Sequence, residues 1–524
     1  MIAAPMDSLR SVRVDAGGAA ARLSLLASVV VIALWSVLQP RTADLAAQVY
    51  RAGLFDRAGW TLWDNNWFGG HHVPGYSLLT PWLMSHAGIG VTGAVAAAIT
   101  VVAFGAIVRP LRPRGWLWPT AWVAWAAAGD LLIGRVTYAV GLAFAMLAVL
   151  ALQRERRAVA ACGLGVLCAA ASPVAGLFLA LTLGVWWTVA RRRDILAVAG
   201  CSAVVTVGCA LMFSDGGVQP YSLTAAVVAV AITMALRLGL ASDAVLARRA
   251  LLAYALAAAG SCVLATPMGS NIARLGVAFA LPVALLARRR FAPAYLGLVA
   301  IAASAWLVFA PATEIAKSID APDTQAAYYA PLLGQLQRRT TTPGRVEIVP
   351  SQTRWESVYV GARYPLARGW ETQLDRTRNA LFYAPGLAGG RYLRWLRANA
   401  VRFVAVSRAP KERWGRAEGR LLRRGVAGLR LAWSSHDWQL YAVDAPRPLA
   451  SGARVTRVGA DSIALRAARS DVVLRVRWSR FWDGGPGVCI ARRPDGFMDL
   501  AVQHPGRVVL HVSPMSLVRS AHEC

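Results

Sequence analysis

Most of the first 310 residues fall into apolar runs of roughly 17 to 25 residues, separated by short polar segments. One such run could be a core helix, but a long series of them needs a bilayer to bury its surface. Composition agrees: 56% of the 524 residues are hydrophobic and only 16% are charged, which is too apolar for one soluble domain. The runs fall at 23–39, 88–108, 116–132, 136–152, 158–171, 174–190, 195–213, 223–240, 250–266, 275–287 and 291–310, eleven in all. Two are short, so the charges between runs must arbitrate.

The formal charge of +29 rests almost wholly on arginine, much of it in small clusters between the runs, a pattern that sets membrane topology rather than nucleic-acid binding. With the N-terminus in the cytoplasm, Arg109/Arg112/Arg114, Arg154/Arg156/Arg157, Arg191/Arg192/Arg193, Arg248/Arg249 and Arg288/Arg289/Arg290 all fall on the cytoplasmic side. The opposite loops, 44–77, 130–135, 172–173, 214–222 and 267–274, are rich in Gly, Pro, Ser and Asn, as turns should be. An odd number of spans then exports everything after Pro311. The first run follows Arg10, Arg13 and Arg22 as a signal peptide would, but its length and the absence of a small-residue cleavage site favour an uncleaved anchor in the plasma membrane. Five of the seven cysteines lie in apolar runs as small hydrophobes, while Cys489 and Cys524 could pair outside the cell.

The expected fold is a polytopic α-helical membrane domain over 1–310, with a first external loop at 41–80, followed by an extracytoplasmic C-terminal domain. In that domain 311–428 reads as α+β, with strands at 345–350 and 401–407 and a helix over 379–399. From 429 to 524, alternating segments such as LRLAW, WQLYAV, SIALRA and RVVLHV, separated by turns, read as a β-sandwich.

Ionisable residues at the outer membrane edge are costly to bury and are therefore functional candidates. Asp44 follows the first run, Asp130 and Arg135 flank a turn in GDLLIGRVTYAVG, and Arg274 closes GSNIARLG after Asn271. Both arginines break the positive-inside pattern, and a guanidinium fork suits a lipid phosphate, although Arg135 pairing with Asp130 and Arg274 reaching for head groups would also explain them. Asp44 is placed to act as a general base on an external hydroxyl. In the first loop, His71 and His72 follow Gly69-Gly70 beside Asp64. They suit hydrogen bonds to sugar or phosphate, with a divalent metal on one histidine and Asp44 or Asp64 as a further option. Trp60, Trp63, Trp67 and Trp82 read either as sugar-stacking rings or as an interfacial belt. No HExxH, GxSxG, Walker loop or paired CxxC occurs.

An acid beyond the first span, a long first external loop, about eleven spans and an external C-terminal domain together resemble the GT-C glycosyltransferases, which use polyprenyl-phosphate-linked sugars. WFGGHHVPGYS, GRVTYAVGLAFAM, SPVAGLFLAL and GSNIARLG are similar to segments of actinobacterial multispanning proteins, and WSRFWDGG with HPGRVVLHVSP resembles the tail of the YfhO-like branch. The resemblance implies transfer of a sugar from a polyprenyl phosphate to an envelope glycan or lipid. It implies inverting or retaining transfer with Asp44 matching the family's first-loop acid, while the residues themselves place Arg135 and Arg274 at the donor phosphate and His71, His72, Asp64, Asn271 and Asp130 around the substrate, with no cofactor expected beyond the optional divalent metal. Many relatives carry paired acids in that loop, whereas Leu45 follows Asp44 here and the next acid is Asp56. A transporter or flippase of envelope lipids would also explain the spans, and a non-catalytic envelope scaffold would explain the β-rich tail.

Overall fold

The computed structural model describes residues 6–154, 157–213, 215–288 and 293–517. Arg156, Arg289, Arg290 and Cys524 lie outside them. The chain divides into two compact units: Met1–Gln48 with Tyr76–Met212 and Val218–Ala316, and Val49–Gly75 with Phe213–Gly217 and Lys317–Cys524. The division follows a different line from a single cut near 310.

The first unit is helical, and a helix lies on each of the eleven apolar runs. Eight helices among the described residues are long and apolar enough to cross a membrane. Leu117–Ile133, Ala158–Ala171 and Leu223–Leu238 are shorter, with 17, 14 and 16 residues. Ile89–Val108 and Val136–Gln153 are central, with 61% and 67% of their apolar windows buried, whereas Ala294–Ser318 buries only 17%. That helix leaves Leu298, Ile301, Val308 and Phe309 exposed. Local chemistry fixes the ends. Ser172 accepts the Ala175 N–H at 3.4 Å with Pro173 as the first helical residue, so the ASPV sequence starts a helix.

The second unit holds three four-stranded sheets. The first has the order Arg345–Ile348, Val401–Ser407, Trp438–Val443, Leu429–Ser434, parallel in its first pair and antiparallel thereafter. LRLAW and WQLYAV therefore belong to this α/β layer and not to the sandwich. The expected helix over 379–399 is narrower: a 3-10 turn at Ala380–Phe382 and a helix at Gly389–Ala398. The other two sheets, Val488–Arg492/Met498–Val502/Asp471–Leu474/Ala450–Ser451 and Trp482–Asp483/Gly506–Val512/Ser462–Ala467/Ala453–Val458, share one core that includes Leu474, Met498, Ile463 and Leu510.

Trp63, from the first loop, is a fully buried member of that shared core. Its segment is clamped there: the Asn65 N–H donates to Ala460 O at 2.7 Å, and the Arg477 N–H to Gly69 O at 2.8 Å. Gly70 has φ +115°, and a Cβ there would stand 2.2 Å from the Trp63 ring, so only glycine lets this hairpin close.

Candidate functional site

In the first unit, four of the expected site residues gather at the end of helix Leu117–Ile133. That helix stops in a Schellman turn: Gly134 adopts φ +94°, its N–H donates to Leu131 O at 2.8 Å, and the Arg135 N–H donates to Asp130 O at 2.9 Å. The turn sends the Arg135 side chain back over its own helix, where Nη1 donates to Asp130 Oδ1 at 3.1 Å. Arg135 Nε donates to Asp44 Oδ2 at 3.3 Å. Asp44 occupies the first turn of helix Ala43–Ala58, where the helix dipole favours a negative charge. Thr42 just before it donates its hydroxyl to Ile133 O at 2.6 Å, tying this helix start to the end of helix Leu117–Ile133. The approach is close, since a Cβ on Gly134 would lie 2.4 Å from Leu45 N.

The side chains of Asp44, Arg135 and Asp130 are 28%, 23% and 11% exposed, so the cluster is sheltered yet reachable. Arg135 is shared by both acids. Arg274, in the first turn of helix Ala273–Leu286, is within electrostatic range of both acids and of Arg135. Its guanidinium carbon lies 5.3 Å from the centre of the Tyr138 ring. Among the described residues neither Arg274 Nε nor the Tyr138 hydroxyl has a hydrogen-bond partner, although both atoms are buried. Buried donors are nearly always paired, so two orphans side by side mark a place where an acceptor belongs. Beside them Thr137 donates to Gln48 Oε1 at 2.6 Å, and Gln48 donates to the Tyr76 hydroxyl at 2.9 Å, a polar chain that orients the cluster wall. A carboxylate, a shared guanidinium and surplus donors can together hold an anionic group and take up a proton.

Asn271 stands apart, its amide donating to Pro267 O at 3.3 Å within its own turn. Asp64, His71 and His72 belong to the second unit. Asp64 is fully buried and accepts the Tyr50 hydroxyl at 2.8 Å and the Asn66 N–H at 3.0 Å. Burial pushes its carboxyl up to about 6, with those hydrogen bonds opposing. His71 stacks on Trp67 with 5.6 Å between ring centres, and burial pushes it down to about 3, so it is neutral. His72 donates its backbone N–H and Nδ1 to Asp215 Oδ2 at 2.7 and 2.8 Å, and its Nε2 lies 2.9 Å from Ser479 Oγ. Burial would raise the Asp215 carboxyl, but Arg378 at 2.7 Å and the His72 donors outweigh it and hold the group well below the usual carboxylate range. Acid, imidazole and hydroxyl stand in the order of a nucleophilic relay. Ser479, however, is only 3% exposed and its Oγ already accepts the Phe481 N–H at 3.2 Å, so the chain serves as an internal clasp. Of the four tryptophans, Trp63 and Trp67 are fully buried, while Trp60 and Trp82 are exposed.

Among the described residues no three His, Cys, Asp or Glu side chains gather into a metal-holding group. Sequence reasoning missed Tyr138, Gln48 and Tyr76 at the first cluster, and Asp215 and Arg378 as the partners of His72. An aromatic residue in an apolar run gives no sign that its hydroxyl lacks a partner, and Asp215 lies 143 residues from His72. No protein-family model and no curated protein matches the chain.

Proposed function

We propose that this chain is an integral membrane glycosyltransferase that moves a sugar from a polyprenyl-phosphate donor to an acceptor outside the cytoplasm. The observation that carries the reading is the pair of buried, unpartnered donors, Arg274 Nε and the Tyr138 hydroxyl, beside a carboxylate already gripped by a second arginine. In this reading Arg274 and Tyr138 receive the donor phosphate, whose charge is matched by a guanidinium that forms no ion pair within bonding distance among the described residues. Arg135 holds Asp44 and Asp130 in register. In the inverting case, the Asp44 carboxylate takes the proton of the acceptor hydroxyl. The freed oxygen bonds to the anomeric carbon, and the carbon–oxygen bond to phosphate breaks, with its electron pair leaving on polyprenyl phosphate. Eleven spans, a cytoplasmic N-terminus and an exported second unit go with this reading, supported by the arginine clusters between runs.

The test is release of polyprenyl phosphate by purified protein supplied with lipid-linked sugars. Asp44→Asn should bind donor normally and lose turnover by about 10² to 10⁴. Arg274→Gln should weaken donor binding, with Arg274→Lys restoring it in part because the fork is lost. Turnover unchanged in Asp44→Asn removes the base from the mechanism. Absence of release by wild type, with flux of lipid across proteoliposomes instead, replaces the enzyme with a transporter.

A further inference from the structure

A different part of the second unit carries an inference that does not rest on the glycosyltransferase reading. Between residues 389 and 424 the sequence has ten arginines and one lysine but only two acids, Glu412 and Glu418. Both acids are committed inward. Glu418 is fully buried and binds Arg368 and the Tyr392 hydroxyl, and Glu412 pairs with the buried Arg354. Arg391, Arg394, Arg416, Arg420, Arg423 and Arg424 are all exposed, and the inward use of both acids leaves their positive charge without local compensation.

Five of these arginines lie on two helices that feed one core, and Arg424 caps the second. Helix Gly389–Ala398 and helix Gly415–Arg423 feed Tyr392, Leu396 and Leu422 into one core, joined by Val426 just beyond the second helix. The segment just after the second helix runs against the first: a Cβ on Gly389 would stand 3.5 Å from Val426, and one on Gly428 2.6 Å from Leu393. Arg416, Arg420 and Arg423 follow i, i+4, i+7 spacing, so their side chains form one stripe with successive members about 6 Å apart. Arg391 and Arg394 follow i, i+3 on the neighbour.

We propose that this pair of helices is a docking face for a soluble polymer of repeating phosphodiesters, of the sugar–phosphate class. Guanidinium forks match phosphate oxygens two at a time, and a stripe with one-turn spacing meets successive phosphates along a chain. Among the described residues neither helix exposes a large hydrophobic side chain, so the apolar half of a membrane-surface helix is missing. The aromatic rings are also unsuited to stacking bases: Tyr392 is fully buried, and Trp414 lies beneath Arg376 and Arg413, 5.2 and 5.0 Å from its ring centre.

The probe is synthetic poly(glycerol phosphate), titrated against the full-length protein in neutral detergent at 50 and 200 mM salt. With six phosphate contacts at single-strand charge density, wild type should lose about 300-fold in affinity across that range. The Arg416→Gln/Arg420→Gln/Arg423→Gln/Arg424→Gln variant, with two contacts left, should lose about 7-fold and bind more weakly at low salt. Arg391→Gln/Arg394→Gln, on the other helix, should give an intermediate slope, and it serves as the test if the fourfold variant unfolds. Absence of binding, or equal slopes in wild type and both variants, overturns the proposal. Tighter binding to an oligonucleotide of equal charge would make the face a nucleic-acid site, and tighter binding to phosphatidylglycerol vesicles would make it a bilayer contact; either overturns it too.

Discussion

The Asp44/Asp130/Arg135/Arg274 group and the Glu347/Asp375/Glu418/Arg368 group both take charge out of water, yet the first sets two acids against two guanidinium groups and the second sets three against one. In the second, Arg368 Nε donates to Glu347 at 2.8 Å, its other nitrogens face Glu418 and Asp375, and its carbon lies 3.7 Å from the centre of the Phe382 ring. Asp375 also accepts from Asn379 at 2.8 Å and from the Tyr383 hydroxyl at 2.7 Å. All four ionisable side chains are at most 3% exposed. The surplus there is acid, and it is relieved internally: burial first, with the neighbouring Glu418 and Asp375, outweighs Arg368 and raises the Glu347 carboxyl well above its ordinary range, so that it holds a proton to higher pH than a free glutamate does. In the first group the surplus is donors, which no proton can relieve. A cluster short of acceptors needs a ligand, whereas one short of cations needs only a proton.

That contrast can be broken most forcefully at Arg368. Arg368→Met strands three buried acids and should cost about 3 to 5 kcal/mol, read as loss of the second unit's unfolding transition or as rapid proteolysis. An Arg274→Met variant should leave the unfolding temperature nearly unchanged, because among the described residues Arg274 forms no ion pair within bonding distance. Equal destabilisation by the two would erase the distinction. Gly134→Ala should be intermediate, at about 1 to 3 kcal/mol, since the new Cβ meets Leu45 N in a left-handed turn. Turnover should fall with it as the Asp44 helix start is pushed away, and a variant with lowered stability but intact turnover would detach that turn from the site.

A small, pH-dependent effect is expected at Glu347. Its folded-state proton affinity is raised, so its contribution to stability is complete below the ordinary glutamate value of 4.5 and is lost as pH rises through the higher folded value. Glu347→Gln mimics the protonated form and should stay within about 1 kcal/mol of wild type at pH 5. Denaturant titrations across pH should give the variant a flatter profile on the alkaline side. An unchanged profile would mean that Glu347 is ionised in the folded protein.

What the sequence made legible follows from the same physics. The Ala158–Ala171 helix coincides with its apolar run, and Ile89–Val108 begins one residue inside its own. Val245–Val263 starts earlier than the run at 250–266, because Arg248 is not a loop residue: its guanidinium donates to Arg237 O and Leu240 O, closing the preceding helix from inside the next. Asp44, Asp130, Arg135 and Arg274 were conspicuous as charges beside apolar runs, and the fold gathers them. The strands at 429–434 and 438–443 were legible as strands, but period-two alternation says only that a segment is half buried and not which sheet takes it. His71 and His72 read as loop residues because the acid and serine that enclose His72 come from distant parts of the sequence.

The early loop segment has a temporal consequence. Thr61 bonds Asp461, 400 residues further along, and Trp63 fills a core whose other members come almost entirely from residues 449–510. At 5 to 20 residues per second, a ribosome needs roughly 20 to 80 s to deliver those partners. For that interval the nascent chain carries Trp63 without the core that it fills. Synthesis of this protein therefore includes a waiting period, in which a factor that shelters aromatic segments would raise yield, and slow codons between the two segments would lower it.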